Sequence, residues 1–227
     1  MFVVAANVNI VPGKYDEWQA AYDELAEYVW EKEPTTMTYY FGLPTQFWTN
    51  KSATTHMFAF EIYADREALY TTHFSSPTMA TFLSKIPETM TTGLDLSHYE
   101  DVGGFLDRYS DKRECETMVD VRITCNNPET RAKVLEKLSR LAEDIAHSSM
   151  RGTLTFLILK SLDKDQGVRV FQRFESWKAL TEQTGSKAVL DFWLGSKEEV
   201  MSMESQCYVP NGKGWLHRGP PEVRSRL

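Results

Sequence analysis

The sequence predicts an α+β protein made of two β-α-β-β-α-β repeats in one chain, pairing face to face. Three observations predict it. Apolar residues alternate in strand-like and helix-like periods in the same order in each half. A polar, charge-dense stretch from Asp107 to Glu116 separates the halves like a linker. Finally, residues 60 to 83 slide onto 171 to 194 without a gap, at an offset of 111 residues, superposing Phe60 on Phe171, Ala68 on Ala179, Leu69 on Leu180, Ser75 on Ser186 and Leu83 on Leu194. One such sheet exposes an apolar face that its own helices cannot cover, which is why the repeats should pair.

In the first half, Phe2 to Val11 is rich in β-branched residues and stops at Pro12-Gly13, a strand followed by a turn. Trp18, Ala21, Tyr22, Leu25, Tyr28 and Val29 then recur at three- and four-residue steps, the stripe of a helix from about Lys14 to Lys32. Strands follow over Met37 to Leu43 and His56 to Tyr63. The second of these carries Phe58, Phe60 and Ile62 on one face and Met57, Ala59, Glu61 and Tyr63 on the other. Asp65 is placed to cap a short helix reaching Tyr70. Ser76-Pro77 opens another helix, with Met79, Phe82, Leu83 and Ile86 inward, and a last strand spans about Leu94 to Asp101 before a Gly103-Gly104 break.

The second half repeats this order. Met118 to Cys125 is a strand, and Pro128 to Ala146 a helix with Val134, Leu138, Leu141 and Ile145 on one face. Gly152 to Leu159 and Val168 to Phe174 are strands, Ser176 caps a short helix, and a further helix is expected from Lys187 to Met201. Asn211 to Leu227 reads as a wrapping or loose tail. The expected domains are therefore residues 1–106, a linker at 107–116, and a second, degenerate copy with its tail at 117–227.

Composition excludes several classes of function. The 227 residues are 42% hydrophobic and carry a formal charge of −7, without the basic patch that phosphate backbones require, so nucleic acid is not an expected partner. No run approaches the roughly 20 apolar residues of a membrane span, and three cysteines fit a reduced, cytoplasmic setting. The five histidines have no His-x-x-x-His or Cys-x-x-Cys spacing, no nucleophile elbow or P-loop occurs, and Gly212-Lys213-Gly214 is too short for a dinucleotide fingerprint. Neither a metal nor a cofactor is expected. The 12 Phe, 10 Tyr and 6 Trp can line a pocket for a small flat aromatic molecule as readily as a core.

The start Val3-Val-Ala-Ala-Asn7-Val-Asn-Ile-Val-Pro-Gly-Lys14, the strand acid Glu61, the Glu67-Ala68-Leu69 helix, His73 and the Ser76-Pro77 helix start resemble an antibiotic biosynthesis monooxygenase (ABM) domain over about residues 2 to 100. The resemblance implies a ferredoxin-like fold that dimerises into an α+β barrel, formed here within one chain as a pseudo-dimer; a further homodimer is compatible with it. In the second copy Gln172 stands for the acid and Thr184 for the His, so chemistry is expected in the first copy. The family includes cofactor-independent oxygenases of aromatic polyketides and haem-degrading enzymes. In the haem-degrading pattern Asn7 matches, but the Trp position falls at Thr72 and the His position at Phe82, so haem cleavage is not expected.

The resemblance therefore implies a cofactor-free oxygenase acting on a phenolic or polycyclic, polyketide-like substrate. A non-oxidative cyclase or isomerase, or a non-catalytic small-molecule binder, remains open. Such an oxygenase needs a substrate that can give up an electron once deprotonated, a water-poor cavity, a base, and donors for the oxyanion. His73 is the candidate base, or else merely packs at a helix end. Asn7 could orient a carbonyl or satisfy a neighbouring backbone group, and Glu61 either orients His73 or faces solvent. Tyr40, Tyr63 and Tyr99 are candidate donors, although rings on strands are core more often than site, and Trp48, Phe58, Phe82 and Trp193 are candidate pocket walls that serve equally as core.

Overall fold

The computed structural model describes residues 1–107, 114–149 and 151–218. These divide into two compact units, one of Met1–His98 with Pro210–Arg218, the other of Tyr99–Val209. No helix among the described residues is long and apolar enough to cross a membrane.

In the first unit β1 (Phe2–Asn9) and β2 (Thr36–Pro44) flank β3 (His56–Tyr63), both antiparallel to it, with Val4 and Tyr39 opposite Glu61. α1 (Tyr15–Lys32) buries Trp18, Tyr22, Leu25 and Val29, the stripe its sequence predicts. α2 (Pro77–Thr89) starts as expected, with Ser76 Oγ accepting from the Met79 N–H at 3.1 Å and Pro77 in the first turn. It buries Met79 and Phe82 but not Leu83, which is 36% exposed; a helix this short presents only a narrow stripe to its sheet.

In the second unit β5 (Thr117–Cys125) and β6 (Thr153–Ser161) flank β7 (Gly167–Phe174), with Val119 and Phe156 opposite Gln172. α3 (Pro128–His147) opens with a capping box between Asn127 and Thr130 and buries Val134, Leu138, Leu141 and Ile145. α4 (Trp177–Thr184) and α5 (Lys187–Gly195) follow, each capped by a serine, Ser176 and Ser186. Each repeat of the sequence thus carries the expected β-α-β-β-α-β order, and the chain is an α+β tandem of ferredoxin-like repeats.

Four elements differ from expectation. Gly103-Gly104 does not end its strand: β4 (Asp95–Phe105) runs through it with a register shift against β6, because Gly104, at φ +88°, lies where a Cβ would be 1.9 Å from the Phe156 carbonyl oxygen. The last helix stops at Gly195, well before Met201, and Val200–Trp215 forms a long strand, β8, whose first part pairs with β5. The described part of the expected tail wraps on the first unit: Trp215 packs on Tyr39, and the Arg218 guanidinium donates to the carbonyls of Val29, Trp30 and Thr36. Of the expected linker, residues 108–113 lie outside the described residues, as does the tail beyond 218.

The short helix capped by Asp65 becomes a π-helix over Ala68–His73, in which the Phe74 N–H reaches back five residues to the Leu69 carbonyl. At the same place α4 closes with an ordinary four-residue step, Gly185 to Thr181. The first repeat thus holds one extra residue, and the gapless alignment slips by one beyond it. The capping serines Ser76 and Ser186 correspond, and His73 corresponds to Gln183, not Thr184: the N–H of each serine donates to the carbonyl of that partner.

Candidate functional site

Between sheet and helices, the two units treat the same space differently. In the first, β3 presents Glu61 and the π-helix presents His73, which are 9% and 3% exposed. His73 Nδ1 lies 2.8 Å from the carboxylate of Glu33, itself buried at the end of α1, and the Tyr63 hydroxyl donates to Glu61 at 2.8 Å. Burial pushes the Glu61 carboxyl above its ordinary range, with His73 and the Tyr63 hydrogen bond pulling the other way. Tyr22, Tyr39 and Tyr63 are pushed well up by burial and stay neutral. Trp18 stacks on Tyr22, Tyr22 on Tyr39, and Phe82 meets both Trp18 and Tyr22 edge-on. These rings fill the space, and the void left beside His73 and Glu61 is about 40 Å³, room for about one or two waters and not for an aromatic ring.

In the second unit the corresponding stripe of α3 is aliphatic. Val134, Leu138, Leu141 and Ile145 follow the same spacing as Trp18, Tyr22, Leu25 and Val29, so two aromatic rings give way to Val134 and Leu138. A cavity of about 630 Å³ opens there, within the range of small-molecule sites, walled by Leu138, Phe156, Val170, Phe192 and Trp193 among others. Its polar lining is Gln172, Thr181, Gln183, Thr184, Ser205 and Cys207, with no acid, base or imidazole. The Gln183 amide nitrogen donates to Gln172 Oε1 at 2.9 Å, and Thr153 hydrogen-bonds Gln183 Oε1. Burial pushes the Cys207 thiol up, so the lining is uncharged. The acid and imidazole of the first repeat are thus two carboxamides in the second.

The other expected site residues are dispersed. Asn7, half-buried on β1, donates to Asp95 at 3.0 Å. Tyr40 and Phe58 are buried core residues of β2 and β3 and line neither cavity. Trp48 is 52% exposed, in a turn under the Lys51 ammonium. Phe82 borders the small void and Trp193 the large cavity. Tyr99 belongs to the second unit, where its hydroxyl accepts from Arg169 at 3.1 Å, and Arg169 is in turn bound by both carboxylate oxygens of Asp120. Glu33 carried no sequence signal beyond its place at a helix end before Pro34, and Gln172 and Gln183 were visible only as counterparts of the first repeat.

Residues 1–85 match the family model described as antibiotic biosynthesis monooxygenase. A candidate monooxygenase of Fusobacterium nucleatum has a similar structure, with TM-score 0.79 and 14% identity over 96% of this chain and 95% of that one. A second, from Lactobacillus acidophilus, has TM-score 0.69 and 9% identity over 92% of each chain. An anthrone oxidase-like protein has TM-score 0.62 and 15% identity over 92% of this chain and 90% of its own. At such identities the likeness is one of fold. No curated protein sequence matches.

Proposed function

From a chain whose first repeat carries an antibiotic biosynthesis monooxygenase domain, we propose a cofactor-independent monooxygenase of secondary metabolism that oxidises a phenolic or polycyclic, polyketide-like aromatic substrate in the cavity of the second unit. The single observation carrying this reading is that cavity: about 630 Å³, apolar, ringed by Phe156, Phe192 and Trp193. For an anthrone-type substrate the deprotonated ring system reduces oxygen itself. One oxygen atom enters the ring carbon, and the other leaves as water with the two hydrogens that carbon loses. The apolar wall strips water from the reacting anion. With no titratable acid or base in the lining save the neutral Cys207 thiol, the first proton passes to water, which favours a substrate acidic by its own structure.

A second reading keeps the chemistry in the first unit, with His73 as base and Glu33 and Glu61 as its supports, and rests on the buried His73 to Glu33 contact of 2.8 Å. It requires Trp18, Tyr22 and Phe82 to part before a ring can enter.

Oxygen uptake with anthrone in metal-free buffer tests both, using Leu138→Tyr, which brings the first repeat's side chain into the cavity, and His73→Ala. Loss of uptake in Leu138→Tyr with His73→Ala active supports the second-unit site. The reverse pattern transfers the reaction to His73. Absence of uptake in the wild-type chain overturns the oxygenase. Enolisation without oxygen would then mark a cyclase or isomerase, and a ligand-induced rise in Tm alone a binder.

A further inference from the structure

The geometry points to Gln172 as the residue that selects the occupant of the second-unit cavity: its carboxamide is held so that one N–H donor faces the ligand, and the ligand it takes is a flat, uncharged aromatic bearing an acceptor oxygen. This rests on the cavity being the binding site and adds the chemical class it reads. Two groups in a row orient the amide. Thr153, 1% exposed, hydrogen-bonds Gln183 Oε1, Gln183, 3% exposed, spends its amide N–H on Gln172 Oε1, and Gln172 lines the cavity. The acceptor side of Gln172 is thereby occupied, and its Nε2 makes no hydrogen bond among the described residues. An amide nitrogen left in this state at the cavity wall has an N–H to offer an oxygen of the occupant.

The rest of the lining narrows the class further. The Thr181 hydroxyl is turned away onto the Trp177 carbonyl, and the walls offer a carboxylate or ammonium no opposite charge. Phe156 faces Gln172 across the strand pair and is the counterpart of Tyr39, so the first repeat's phenol is absent where the ligand's oxygen would sit.

Calorimetric titration of the full chain with naphthalene and 2-naphthol at pH 8 tests this. The wild-type chain is expected to bind 2-naphthol about tenfold tighter than naphthalene, the effect of about one hydrogen bond. Gln172→Glu keeps the acceptor that Gln183 needs but removes the donor, and is expected to bring the ratio to about one or below. Gln172→Leu, which removes the donor without adding a charge, is expected to do the same. If naphthalene binds and Leu138→Tyr blocks it, but the ratio is unaffected by both Gln172 variants, the selection role is overturned and the cavity reading stands. If naphthalene does not bind the wild-type chain, the cavity reading itself falls.

Discussion

His73 and Gln183 occupy one structural position: each is 3% exposed, and the carbonyl of each receives the N–H of the serine that caps the following helix, at 3.1 Å from Ser76 and 3.0 Å from Ser186. The partners diverge with them. His73 meets the carboxylate of Glu33 beside Glu61, whereas Gln183 meets Gln172 and Thr153. One repeat has kept a titratable cluster and filled the space over it with rings; the other has an uncharged cluster under an open cavity.

The rings of the first unit hold that space closed. Trp18→Val, which copies Val134 of the second repeat, is expected to lower stability by about 3 kcal/mol in urea unfolding, as truncation of a fully buried aromatic does. Added naphthalene should recover part of that loss. A change under about 1 kcal/mol would mean the neighbours collapse into the gap.

Glu61 makes stability depend on pH. Its folded-state carboxyl holds a proton to higher pH than the ordinary 4.5, so the native chain binds more protons between the two values, and its contribution falls as pH rises through that window. Glu61→Gln, the residue of the second repeat, removes this loss while still accepting from Tyr63. The difference in unfolding free energy between variant and wild type should therefore move in favour of the variant from pH 4 to pH 7. A constant difference would contradict the shift.

Arg169 and Asp120 form a buried two-point ion pair in the second unit, with contacts of 2.6 and 3.0 Å. Asp120→Ala leaves the guanidinium uncompensated and is expected to cost about 3–5 kcal/mol. Asp120→Leu combined with Arg169→Met should cost far less, because no charge is then left buried. Denaturant titration of the three chains measures the gap.

Gly104→Ala combines a positive φ with a Cβ placed against the Phe156 carbonyl. It is expected to lower stability by more than about 2 kcal/mol, read as a lower Tm. Gly13→Ala, also at positive φ but with open space around the new Cβ, should cost less.

Much of this was legible in the chain itself. Periodicity located β3 at His56–Tyr63 to the residue, the stripes of α1 and α3, and the serine caps of α2 and α4, because each depends on residues within a few positions of one another. β8 was missed because the expected helix ran on to Met201, over its first residues, and because Met201 to Ser205, though they alternate, are exposed and owe their strand to pairing with β5 from far along the chain.

The sequence by itself determined that there are two α+β repeats, what order their elements take, and which faces are apolar. Only the tertiary structure decided that the open space belongs to the second repeat and that His73 is matched by Gln183. Apolar pattern records which side chains turn inward, not whether their volumes fill the gap between helix and sheet. Trp18 and Tyr22 close it where Val134 and Leu138 do not. Likewise, one extra residue taken up as a π turn changes the register without disturbing either flanking pattern, so it shows only once the hydrogen bonds are formed.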